Sequence, residues 1–312
     1  MSTQTKQAIR VHNYGDADQL KLEDEQRPAP QTGEVLIRVY SAGVNPVDWK
    51  IRQGWMKDFR PMQLPYIPGL DLAGVVEEVG PGVTAFQKGQ AVFGQSAKGA
   101  YTEYTTASVE TLALKPKTLS FDEAATIPVG ATTAWQGLFD HGKLQAGQHV
   151  LIQGAAGGVG MFAVQFARWK GAHVTATTSA ANADFVRSVG AETIVDYTST
   201  AVEQVVHDMD LVFDAVGGTT LASSLQTVKR GGILVTIAGQ LSEEKARERG
   251  VHVASFSARV SSELLQTFAQ LIDEGQIKVA IAATFPLRDA RQAHEFSQSG
   301  HGRGRIVLHI AE

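Results

Sequence analysis

The chain has 312 residues, about twice the roughly 150 of a typical domain, so two cores are expected. Hydrophobic residues make up 43% and charged residues 19%, with no low-complexity block, which excludes a disordered chain and any collagen-like or coiled-coil rod. The 28 basic and 32 acidic residues leave a net charge of −4, with no positive excess for nucleic acid or an anionic membrane, and the lack of cysteine removes disulfides, thiol nucleophiles and thiolate zinc sites.

The first residues are polar, and no apolar run approaches the eighteen or so residues of a bilayer span, so a cytoplasmic protein is expected. Apolar residues alternate at Val35, Ile37 and Val39 and recur at Val75, Val76 and Val79, with Gly and Pro between the runs. This predicts short strands joined by tight turns, as in a small β-barrel. From about residue 121 the texture changes: helices are predicted over 121–127 and 131–139, then an apolar strand over 150–153. A glycine-rich turn, a helix over 159–169 and a strand over 173–177 complete a βαβ unit. The alternation continues with strands predicted over 193–195, 211–213, 233–238 and 251–256, giving the six of a doubly wound parallel sheet. After a helix over 289–297, residues 305–310 read as an edge strand returning to the first domain. The expected fold class is therefore α/β, a Rossmann sheet with a β-barrel domain. Residues 1–125 and 286–312 are expected to form the β-rich domain, and 126–285 the parallel-sheet domain.

Between the first parallel strand and its helix stands Gly154-Ala155-Ala156-Gly157-Gly158-Val159-Gly160. Small residues there let backbone amides approach a pyrophosphate at a helix N-terminus. The spacing Gly-x-x-Gly-x-x-Gly places the second glycine one position later than in the commonest form. NAD-binding sheets end the second strand with an acid that holds the ribose hydroxyls. Here the stretch reads Thr177-Thr178-Ser179-Ala180, with Asn182 nearby, so NADP(H) is favoured over NAD(H). No Arg or Lys stands immediately there.

Other chemistries are missing. None of the tyrosines has a Lys four residues on, and no Gly-x-Ser-x-Gly elbow occurs. Residues 137–143 spell a phosphate loop, but Leu144 replaces its Ser or Thr and no apolar strand precedes it. The nine histidines include no pair at the four-residue spacing of a helical metal site, so no metal is expected.

Gly43-Val44-Asn45-Pro46-Val47-Asp48-Trp49-Lys50, Pro68-Gly69-Leu70-Asp71-Leu72-Ala73-Gly74 and Ala131-Thr132-Thr133-Ala134-Trp135 resemble the zinc-free quinone oxidoreductase and alkenal/enone reductase branch of the medium-chain dehydrogenase/reductase superfamily. The resemblance spans essentially the whole chain and implies a GroES-like first domain. Zinc enzymes of that superfamily carry Cys where this chain has Asn45 and His where it has Leu70. Without such a Lewis acid, reduction of an electron-poor acceptor is more accessible than alcohol oxidation.

The resemblance also implies roles residue by residue. Asn45 would line the nicotinamide and substrate pocket, or serve as a turn residue before Pro46. Asp48 would anchor the pocket or the ribose, or cap a helix, and Lys50 would stabilise an enolate oxygen or lie solvated. Thr133 matches a residue at the nicotinamide end, and Tyr197 one that stacks near the adenosine phosphate. Val216, Ala238 and Gly239 fall in loops at the carboxyl edge of the sheet. Phe256 resembles a residue that closes over the nicotinamide, with core packing the competing reading. His301 and Arg303 belong to a C-terminal stretch beside the cofactor, with Arg303 the candidate phosphate partner or else part of a basic surface turn. The expected function is NADPH-dependent reduction of quinones or of α,β-unsaturated carbonyls by a homodimer, leaning toward enones and enals. The alternative is an NADPH-binding regulatory protein with little turnover.

Overall fold

A computed structural model describes residues 5–58, 61–300 and 302–311. The chain divides into two compact units, residues 1–129, 260–275 and 279–312, and residues 130–259 with 276–278.

In the first unit β1 (Thr5–Val11) and β2 (Leu20–Gln26) form an antiparallel pair. β3 (Glu34–Val44) leads into α1 (Pro46–Arg52), followed by β4 (Asp71–Val79), β5 (Ala91–Gln95), β6 (Tyr104–Ser108), β7 (Leu112–Leu114) and the short α2 (Phe121–Ala124). The period-2 pattern read at Val35, Ile37 and Val39 puts all three in the core, each fully buried with Leu72, Val76 and Val92. α3 (Pro128–Trp135) carries the chain into the second unit.

The second unit is a parallel sheet with helical crossovers. Its elements are β8 (His149–Gln153), α4 (Gly160–Trp169), β9 (His173–Thr178), α5 (Ala183–Ser188), β10 (Thr193–Asp196), α6 (Val202–Val205) and β11 (Met209–Asp214). α7 (Thr220–Thr227), β12 (Val228–Thr236), α8 (Glu243–Arg249) and β13 (His252–Ser255) complete it. The strand order β10-β9-β8-β11-β12-β13 is the doubly wound order, which reverses between β8 and β11. β8 is central, so its Val150-Leu151-Ile152 run is buried on both faces. The phosphate-loop look-alike at 137–143 forms a π-helical turn over Gln136–His141 that continues α3, so it holds no strand-to-helix loop.

The chain then returns to the first unit with α9 (Ser262–Asp273), β14 (Ile281–Pro286), α10 (Ala290–Ser299) and β15 (Arg305–His309). Two expectations change here. Residues 305–310 were expected at a sheet edge, but β15 lies between β14, which it pairs in parallel, and β3, which it pairs antiparallel. The return to the first unit falls after Arg259 rather than at 285/286. The reason is α9, whose buried Leu265, Phe268, Leu271 and Ile272 make one apolar stripe, with Asp273 accepting hydrogen bonds from Lys117 N and Thr118 N at 3.1 Å each. Among the described residues no helix is long and apolar enough to cross a membrane.

Candidate active site

Asn45 and Asp48 open α1. Asp48 Oδ2 accepts from the Asn45 backbone N–H at 2.8 Å, so the helix-capping reading of Asp48 is realised. Asn45 is 1% exposed, and both ends of its amide are engaged: Nδ2 donates to Asp71 Oδ2 at 3.1 Å, and Oδ1 accepts from Arg305 Nη2 at 2.6 Å. Arg305 Nη2 also lies 3.2 Å from Asp71 Oδ2. Asp71 is further held by Gln95 Nε2 at 3.0 Å and by the Val129 N–H. A buried ion pair thus lies beneath the loop that carries Asn45, and the three residues come from α1 and from β4 and β15, which flank β3 on either side.

Two carboxyls face one guanidinium in this cluster. Burial pushes Asp71 up against the pull of Arg305. Burial, helped by Asp71, raises Asp48 to about 7, while the hydrogen bond from Asn45 N–H, that from Tyr101 and the charge of Arg305 oppose it. Tyr101 Oη donates to Asp48 Oδ2 at 3.0 Å, and its ring is seated against Gly69, where a Cβ would meet a ring carbon at 2.2 Å. Behind it, burial and the Arg52 charge lower His294 to about 3, so its ring is neutral. Arg52 Nε donates to His294 Nδ1 at 3.2 Å, which leaves Nε2 protonated and facing Tyr101 Oη at 3.3 Å. Every proton in the run Arg52, His294, Tyr101, Asp48 therefore points the same way. Lys50 does not join this cluster: it is half-buried, with Nζ 5.5 Å from the centroid of the Trp49 ring.

In the second unit, the glycine loop follows β8 at the reversal point of the sheet. Gly154 has φ +74°, and a Cβ on Gly160 would lie 2.1 Å from the Gly154 carbonyl and 2.7 Å from Ala155 Cα, so the turn admits only glycine at Gly160. Gly157 is different: a Cβ there would meet only the Gly154 carbonyl, at 3.3 Å. This cradle fits a dinucleotide pyrophosphate, with α4 starting at Gly160 to present its N-terminal amides.

At the end of β9, Thr178 is buried and Ser179 and Asn182 are half-buried. Tyr197 N–H donates to the Thr178 carbonyl at 3.3 Å, and the Tyr197 side chain is 58% exposed. Val216, 50% exposed, follows β11, and Ala238 and Gly239 follow β12, all at the same carboxyl edge. Thr133 is buried in α3. Phe256 stacks on His141 with centroids 4.3 Å apart. Arg303 is exposed just before β15 in the first unit, and His301 lies outside the described residues.

Sequence reasoning missed the residues that hold this edge in shape. Asp214 is fully buried; its Oδ1 accepts from Val216 and Gly217 N–H at 2.9 and 2.8 Å, and its Oδ2 from Thr220 and Ser224 hydroxyls at 2.9 and 2.8 Å. Ser224 accepts from Gln153 Nε2, Gln153 Oε1 accepts from Thr177 Oγ1 at 2.6 Å, and Thr177 Oγ1 accepts from Gly154 N–H. One buried network thus ties together the loops after β8, β9 and β11. Its only sequence signal is an acid closing an apolar strand.

A glycine cradle at the switch point of a doubly wound sheet, joined in one chain to a β-rich domain, defines an oxidoreductase of the dinucleotide-binding kind. Residues 31–118 match the alcohol dehydrogenase GroES-like domain, and residues 189–308 match the zinc-binding dehydrogenase family. The chain is 34% identical to the quinone oxidoreductase of Mus musculus, over 96% of this chain and 97% of that protein. It is 33% identical to the chloroplastic NADPH-dependent alkenal/one oxidoreductase of Arabidopsis thaliana, over 95% of this chain and 78% of that protein. The solved quinone oxidoreductase of Coxiella burnetii superposes with a TM-score of 0.91 at 31% identity, covering 98% of this chain and 100% of that one. The chain belongs to the medium-chain dehydrogenase/reductase superfamily, in its quinone oxidoreductase and alkenal/enone reductase branch.

Zinc, which one of the matched family descriptions names, does not fit the residues present. Leu70 offers no donor atom, the chain has no cysteine, and the Arg305 guanidinium already occupies Asn45 Oδ1 and Asp71.

Proposed function

We propose that the chain is an NADPH-dependent, zinc-independent reductase of quinones and α,β-unsaturated carbonyls, with enones and enals the favoured class. The observation that carries the cofactor choice is the neutral end of β9. Thr178 and Ser179 stand where an acid would hold the ribose diol, leaving hydroxyl donors at that strand end, while the neighbouring carboxylate, Asp196 opposite Thr178 on β10, is taken up by Thr198 and the Ala180 N–H.

Gly154 to Gly160 would hold the pyrophosphate, with Ser179, Asn182 and Tyr197 at the adenosine end and Thr133, Val216, Ala238, Gly239 and Phe256 along the rest of the cofactor. Arg303 remains a candidate partner of the 2′-phosphate. The cofactor supplies a hydride when bound. The chain's own residues must then bind an electron-poor carbonyl and receive the negative charge that develops on its oxygen. Asn45 and Asp48 serve that end from the first unit, Asn45 as a positioning residue locked by Arg305 and Asp71. Lys50, two residues beyond Asp48 on α1, is the third candidate.

Calorimetric titration of the metal-stripped protein with NADPH and then NADH tests this reading, followed by acceptor assays with quinones and enones. NADPH preference with acceptor turnover supports it. NADH preference refutes the β9 reasoning, and tight NADPH binding without turnover of any acceptor favours a regulatory binding protein. The same reading expects a cytoplasmic homodimer formed through an edge strand of the six-stranded sheet, β10 or β13; a monomer in analytical ultracentrifugation at micromolar concentration removes that part.

A further inference from the structure

The first unit holds a recess of about 20 Å³, lined in part by Asp48, Tyr66, Pro68, Gly69 and Leu70. That volume admits one water-sized atom and neither a ring nor a chain. Tyr66 is 9% exposed, and its hydroxyl is buried with no hydrogen-bond partner. Such an unmade bond costs about 1–3 kcal/mol. Backbone bonds in both directions with Val11, at 2.9 and 3.1 Å, fix Tyr66 in place. On the other wall, the bonds Asp48 accepts from Asn45 N–H and Tyr101 Oη both fall on Oδ2. The carboxyl is thus gripped through one oxygen.

We propose that this recess takes the carbonyl oxygen of the acceptor, with the Tyr66 hydroxyl and the Asp48 carboxyl as its two hydrogen-bond donors. This deepens the reductase reading and rests on it. When hydride reaches the β-carbon of an enone, a C–H bond forms there, the C=C π pair shifts toward the carbonyl carbon, and the carbonyl π pair ends on oxygen as an enolate. Asp48 passes its proton to that oxygen, the enol tautomerises to the saturated ketone, and a proton from solvent restores Asp48. A quinone presents the same demand at the oxygen that becomes a phenolate.

The groups facing Asp48 are Asp71 on β4, Arg305 on β15, Tyr101 before β6 and Tyr66 before β4, with His294 on α10 and Arg52 on α1 behind Tyr101. Burial keeps the acid neutral below about pH 7, and a neutral acid in a dry site can donate to an enolate oxygen.

The test is the pH dependence of kcat and KM for NADPH oxidation with methyl vinyl ketone, in the wild type, Tyr66→Phe and Asp48→Asn, with urea denaturation in parallel. Tyr66→Phe is expected to lower kcat by about 10²-fold with KM little changed. It should not lower stability, because the lost hydroxyl has no partner. Wild-type kcat should fall as pH rises above about 7. Asp48→Asn should flatten that limb and lower kcat at every pH, because its NH₂ can still hydrogen-bond the acceptor oxygen in the recess but has no proton to give up to the enolate. An unchanged kcat in Tyr66→Phe, or an alkaline limb that survives in Asp48→Asn, overturns the assignment and leaves the recess as a water site. Absence of wild-type turnover with every enone and quinone instead removes the reductase reading, and this assignment with it.

Discussion

Replacing Arg305 by Leu removes the guanidinium that is hydrogen-bonded to two buried polar partners, Asn45 and Asp71. Arg305 is 3% exposed and Asp71 0%, so solvent cannot replace the lost charge. Breaking such a pair from one side costs about 3–5 kcal/mol, since the remaining carboxylate stays desolvated. With a urea m-value of about 2 kcal/mol/M, the first unit should unfold at a midpoint lower by about 1.5–2.5 M. Hydrogen exchange read peptide by peptide separates that unit from the other, and only its amides should lose protection. Two further signs identify the cause. The deficit should narrow as pH falls, because a buried carboxylate without its counter-ion takes up a proton. Adding Asp71→Asn should recover part of the loss, since a neutral amide oxygen still accepts from the Val129 N–H without needing a cation. A cost below about 1 kcal/mol, or no recovery in the double variant, would refute the view that Arg305 balances Asp71 and would hand that role to Gln95, Val129 and Asn45.

Gly157→Asp should leave the unfolding free energy within about 0.5 kcal/mol of wild type while abolishing NADPH binding by calorimetry, because the Cβ meets only one carbonyl at 3.3 Å while the carboxylate opposes the pyrophosphate. Gly160→Ala should instead cost about 2 kcal/mol or more in thermal unfolding, since its Cβ would lie 2.1 Å from the Gly154 carbonyl; equal stability of the two variants would remove the steric account. Asp48, raised in the folded state from 3.8 to about 7, contributes stability that is full below about pH 4 and is lost as pH rises through 7, so the first unit should weaken over that interval in the wild type and not in Asp48→Asn. Asn45→Ala should lower turnover with little change in NADPH affinity and cost about 1.5–3 kcal/mol for the bond to Arg305; undiminished turnover would take Asn45 out of the site.

Chain-local features were legible in the sequence. Alternation at Val35, Ile37 and Val39 signals a half-buried strand because period 2 is a property of the strand itself. The loop from Gly154 to Gly160 signals its own turn because Gly160 is excluded from bearing a Cβ by Gly154 and Ala155, its neighbours in the chain. The cluster under Asn45 had no such local signature. Arg305 and Arg303 are equally basic and two residues apart, and only the pairing of β15 with β3 decides that one is buried beside Asp71 and the other exposed. Tyr66 and Asp48 are separated by a loop whose path is set by the bond from Tyr66 to Val11 on β1, so their shared recess follows from the assembled first unit. Asp214 shows the same limit: an acid ending an apolar strand reads as a strand terminator until Thr220, at the start of the next helix, and Ser224, one turn along it, are seen to donate to it. Buried polar groups require partners from distant elements, because each carries a desolvation cost that its own segment cannot offset. Polar chemistry in this chain is therefore concentrated at those positions where sequence periodicity is least informative, and the variants most worth making are those of buried polar residues.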